Sequence, residues 1–116
     1  MLAELLFFLL LGVLAGTFTG LMPGIHINLI GALLVSASAS FLFFMPPLYF
    51  VVFITSMAIT HTFLDFIPSV YLGAPNPDTA LSILPAHRLL LEGKGHEAVQ
   101  LATIGSLFGL IITILM

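Results

Sequence analysis

Gly12-Val-Leu-Ala-Gly16-Thr-Phe-Thr-Gly20-Leu-Met-Pro23-Gly24-Ile-His26-Ile-Asn28 is the stretch on which this chain turns. It begins inside an apolar run and stops at a Pro-Gly pair with no Lys, Arg, Asp or Glu beside it. Gly12, Gly16, Gly20 and Gly24 are spaced by four, and residues four apart share a helix face. One side of this helix is therefore bare backbone, open to close approach by another helix or by a ligand. Pro23 has no N–H, so the carbonyl of Thr19, four residues back, loses its helical partner. Within lipid that carbonyl must face protein, an ion, a solute or a wet cavity. The turn from Ile25 to Asn28 restarts a helix and presents free N–H groups and the positive dipole end, which suit an anion. These residues predict half of a solute site, formed by Thr19, Gly20, Pro23, Gly24, His26 and Asn28. Plain helix packing is the competing reading of the glycines, and capping is that of His26 and Asn28.

The rest of the chain sets the environment. Its 116 residues are 60% hydrophobic and 6% charged, with a mean hydropathy of +1.27. A soluble domain carries about 25% charged residues, so this is an integral membrane chain in contact with lipid. Lys and Arg number two and the net charge is −3, which leaves no basic patch for nucleic acid. A single helix from Leu2 to Phe44 would be ~65 Å long, so the chain must reverse at Pro23-Gly24. Spans are predicted at about 2–21, 25–44, 48–66 and 98–116, each near the ~20 residues a bilayer requires.

Pro46-Pro47 separates the second and third spans, Tyr49 suits an interface, and Pro68 is expected to end the third. Short re-entrant or surface helices are predicted over 77–92. Asn76 or Asp78 would act as a cap, Arg88 and Glu92 lie one turn apart, and Gly93 would be the stop. Arg88 and Lys94, with His87 and His96, read as a solvated loop, and the positive charge places it in the cytoplasm with the N-terminus outside. The final apolar run, from Ala98, reaches Met116 without a charge or polar flank, so a fragment of a larger permease is expected. The fold class is all-α, a polytopic transmembrane helical protein of the cell membrane with broken or re-entrant helices.

Small faces recur at Ala32, Ser36 and Ser40, and at Gly105 and Gly109. In the third span His61 and Asp65 lie four apart, as do Ser56 and Thr60. Ionisable groups inside a span are costly and mark ion or proton paths, so His61 and Asp65 are the candidates for a coupling cation, H⁺ or Na⁺. The plain alternative is a hydrogen-bonded pair near an interface, since Asp65 lies ~25 Å along its helix. No His-Glu-x-x-His motif is present, and neither a metal site nor a cofactor is expected. An intramembrane enzyme using His61 and Asp65 would lack a nucleophile–base arrangement, so no catalytic residues are assigned.

Two sets of residues carry a family resemblance. Gly12-x3-Gly16-x3-Gly20-x2-Pro23-Gly24 is similar to the glycine-rich first helix of the large permease subunit of tripartite tricarboxylate transporters, the TctA family. Gly93-Lys-Gly95-His-Glu-Ala98-Val99, leading into the helix through Gly105 and Gly109, resembles the start of a later helix in that family, and Gly73-Ala-Pro75 to Ala80 is a looser counterpart. The resemblance covers most of the chain but about the first quarter of a full permease. Pro85-Ala86-His87-Arg88 stands where the family commonly has Asp-Gly-Tyr-Pro, which removes a carboxylate and suggests a divergent branch. The resemblance implies cation-coupled uptake of a small organic anion such as a carboxylate, with a small membrane subunit and an extracytoplasmic solute-binding protein as partners. The alternative is a small structural or assembly subunit without transport.

Overall fold

The computed structural model describes residues 1–74 and 80–116, apart from the side chain of Ser82. The described residues form helices and no strand: α1 Leu2–Leu21, α2 Ile27–Phe44, α3 Pro47–Leu64, α4 Phe66–Leu72, α5 Ala80–Leu91 and α6 Gly95–Leu115. Among the described residues four stretches are long and apolar enough to cross a membrane: Leu2–Leu21, Ile27–Phe44, Pro47–Leu72 and Gly95–Leu115. An 18-residue helix such as α2 measures ~27 Å, close to the hydrocarbon thickness of a bilayer.

Prolines and left-handed glycines set the element ends, and they shift several expected bounds. The second helix starts at Ile27 rather than residue 25, because Gly24 takes φ +85° and His26 holds the extended N-cap position. α3 starts on Pro47, where a missing N–H costs nothing, and ends at Leu64 rather than residue 66. Pro68 cannot return an N–H to the Leu64 carbonyl, so Asp65 becomes the C-cap of α3. Pro68 itself lies in the first turn of α4, so the residue that limits α3 also suits the start of the next helix. Of the short helices expected over 77–92, the described residues form one, α5, which continues through Pro85. The expected caps Asn76 and Asp78 lie outside the described residues. α6 begins at Gly95 rather than residue 98, with Glu97 in its first turn near the positive dipole end.

The chain divides into two compact units, Met1–Asp65 and Phe66–Met116. In the first, α1 and α3 pack along their length. A Cβ at Gly12 would meet Ser56 and Phe53, one at Gly16 would meet Met57 and Thr60, and one at Gly20 would meet His61 and Leu64. Each step of four on α1 matches a step of four on α3 in the same direction, so the two helices are parallel. At their shared N-terminal end the Tyr49 hydroxyl donates to the Glu4 carboxylate, the chain's ammonium group lies 3.0 Å from Glu4, and the Phe8 and Tyr49 rings stack at 5.3 Å. This polar cluster, with an aromatic ring beside it, suits an interface.

α2 runs back between these ends and has no buried residue. Phe41, near its C-terminus, stacks on Phe50 of α3 at 5.4 Å. An apolar cavity of about 190 Å³ remains where Phe8, Leu11, Leu34, Phe41, Phe50 and Phe53 converge. Ala32, Ser36 and Ser40 are exposed, so this small face is not used for packing among the described residues.

The second unit has its own core of Phe66, Val70, Ile83, Ala86 and Ala98, with Ile67, Leu89, Val99 and Ala102 around it. α5 ends in a hydrogen-bonded glycine cap. Gly93 takes φ +82°, its N–H donates to the Leu90 carbonyl at 2.9 Å, and the Lys94 N–H donates to Leu89 at 2.9 Å. Arg88 and Glu92 form the expected pair one turn apart, 3.5 Å and well exposed. His87 departs from the expected solvated loop: it is half-buried, and its Nδ1 donates to the Val70 carbonyl at 2.5 Å. That carbonyl is one of the last of α4, so His87 closes the helix from outside.

Candidate functional site

The three glycines inside α1 are buried, and each is filled by the backbone of α3. A Cβ on Gly20 would come within 2.8 Å of the His61 carbonyl oxygen, and one on Gly16 within 2.8 Å of Thr60 Cβ and 3.1 Å of the His61 amide nitrogen. In lipid nothing apolar drives helices together beyond contact itself, so this closeness supplies the attraction between them. Gly24 behaves differently. It lies outside the helix, and nothing stands within 4 Å of where its Cβ would be.

The seam buries one polar side chain. His61 is 1% exposed, and its Nδ1 lies 3.0 Å from the Thr19 hydroxyl oxygen. Thr19 also reaches the Gly16 carbonyl at 3.3 Å. Gly16 and Gly20 have no side chain, so the backbone of α3 at His61 comes close to α1. Ser56 and Thr60 are occupied locally, bonding to carbonyls one turn back at 2.8 Å each.

The predicted residues therefore fall into two groups. Thr19 and Gly20 join His61 in the seam. Pro23, Gly24, His26 and Asn28 lie together on the exposed connection into α2. There the His26 carbonyl accepts the Leu29 and Ile30 N–H groups at 3.1 and 3.3 Å, and no side chain caps the turn. Asp65 is half-buried at the end of α3, its N–H bonded to the His61 carbonyl at 2.9 Å. Because α1 and α3 are parallel, both groups and Asp65 share one end of the first unit. Among the described residues no cluster of three or more His, Cys, Asp or Glu could hold a metal ion.

The sequence pattern did not reveal the bond between Thr19 and His61. They are 42 residues apart, and pairing them requires the register of α1 on α3.

A helical chain with four bilayer-length apolar stretches, broken at a Pro-Gly pair, is a multi-pass membrane protein. It matches the tripartite tricarboxylate transporter TctA family over residues 6–116 and belongs to that family. It is 46% identical over 114 residues to the uncharacterized protein MJ1079 of Methanocaldococcus jannaschii, an alignment taking in 95% of this chain and 27% of that protein. The chain thus spans about a quarter of the length of the curated relative it matches. No solved structure matches it.

Proposed function

We propose that the chain is the N-terminal transmembrane portion of a cell-membrane permease that takes up small organic anions such as carboxylates, coupled to a cation. Its membership of the TctA family carries this reading. The anion would meet the connection formed by Pro23, Gly24, His26 and Asn28, where the first turn of α2 has N–H groups without side-chain caps. Thr19 and Gly20 border that position, and His61 and Asp65 supply the ionisable groups. Alternating access would move the solute, with a small membrane subunit and a solute-binding protein as family-type partners.

Uptake of labelled citrate and succinate by the intact protein in vesicles tests the proposal, with Na⁺ and pH gradients imposed separately. Gly24→Leu forces a side chain into a φ of +85° at the connection, while the seam is untouched. Membrane insertion is expected to persist and uptake to be lost. Normal uptake by this variant would remove the site from the Pro-Gly connection.

A further inference from the structure

We infer that Thr19 is a positioning residue for His61: it holds the imidazole in the Nδ1–H form and leaves Nε2 as the atom that gains and releases a proton. This rests on the reading of His61 as a coupling group and deepens it by naming the proton as the ion.

Counting hydrogens assigns the form. The Thr19 hydroxyl has one hydrogen and two lone pairs. Its oxygen lies 3.3 Å from the Gly16 carbonyl oxygen and 3.0 Å from His61 Nδ1. A carbonyl only accepts, so the hydrogen in the bond to Gly16 belongs to Thr19. The hydroxyl then offers Nδ1 a lone pair, and Nδ1 must carry a hydrogen of its own. A neutral imidazole with Nδ1–H has its remaining lone pair on Nε2, and that is where a proton adds. The proton comes from water on one side and returns to water on the other, and Nδ1–H stays bonded to Thr19 throughout.

The surroundings favour a proton over a metal cation. The side chain that the seam buries is an imidazole, whereas hard cations take oxygen ligands. The facing elements bring few competing charges. The only ionisable side chain of α1 is Glu4, held by Tyr49 at the far end of the pair. α2 has none, and His26 precedes its first turn. On α3 itself Asp65 follows His61 by one turn.

Nitrogen NMR on the intact protein in bilayers, labelled with ¹⁵N-histidine and assigned with His61→Gln, reads the form directly. Neutral His61 should show a protonated Nδ1 and a bare Nε2. Thr19→Val, which keeps the shape and loses the hydroxyl, should populate both forms, and Thr19→Ser should restore one. A dominant Nε2–H form, or a single unchanged form in Thr19→Val, overturns the inference.

Uptake of labelled citrate driven by a pH gradient gives the second readout. Its pH profile should move in Thr19→Val, because the ring loses its hydroxyl partner. The profile should stay in place in Thr19→Ser, and an unmoved Thr19→Val profile counts against the inference. If His61→Gln takes up citrate under a pH gradient as well as the natural chain, the coupling reading falls, while the NMR result still decides the role of Thr19.

Discussion

Replacing Gly16 with alanine is the sharpest probe of the α1–α3 seam. The new Cβ would overlap the Met57 carbonyl and lie 2.8 Å from Thr60 Cβ, where ordinary contact begins at 3.4 Å. The nearest obstacle is backbone, which cannot rotate away. To clear the Met57 carbonyl the helices must separate by on the order of 1 Å, and a gap of about 0.5–1 Å forfeits a quarter to a half of each dispersion contact it opens. Overpacking of this kind costs about 1–3 kcal/mol. Alanine's better helix propensity offsets up to ~1 kcal/mol of that. Gly31 is the control, because nothing lies within 4 Å of its Cβ position and only the propensity gain remains. Gly16→Ala should therefore be less stable than Gly31→Ala by about 1–3 kcal/mol. Unfolding of the intact protein in mild detergent by added dodecyl sulfate, followed by circular dichroism, measures the difference. Equal midpoints for the two variants would refute the close seam.

The second unit offers two further expectations. Gly73→Ala is strained by a φ of +62° and by the His87 ring, whose Nε2 would lie 2.7 Å from the new Cβ, so a loss of about 2–3 kcal/mol is expected. In a His87→Ala background the ring is gone and the loss should fall to about 1–2 kcal/mol, which a double-mutant cycle in the same unfolding assay resolves. Arg88→Ala should change stability by under about 0.5 kcal/mol, since its pair with Glu92 is exposed at 3.5 Å, and a loss above ~1 kcal/mol would show that the pair has a structural role.

Particular residues show how far the sequence could be read. Pro46-Pro47 and Gly93 mark helix ends through local backbone constraints, and they fall where expected. The spacing of Gly12, Gly16 and Gly20 announced a close-packing face, and that face is buried. The same spacing at Gly105 and Gly109 looked equivalent, yet nothing lies within 4 Å of either Cβ position. Pattern alone does not distinguish a filled face from an unfilled one, because the partner belongs to another part of the chain. Pro68 is expected to end the third helix, and α3 does stop at Leu64; the restart at Phe66 is not legible, because a proline that stops one helix also suits the first turn of the next. His87 looked like a loop cation, and only the fold brings the Val70 carbonyl within its reach.

The amino-acid order by itself determined that this chain lives in a bilayer, where its helices break, and which face of α1 lies bare. Those properties follow from composition, missing N–H groups and missing side chains, which act within one or two turns. The tertiary structure decided that α3 is the helix lying on that bare face, parallel and in a register that sets Gly20 against His61 and Thr19 within a hydrogen bond of its ring. Between helices in lipid, that choice depends on shape-matched contact over several turns, and no single segment carries it.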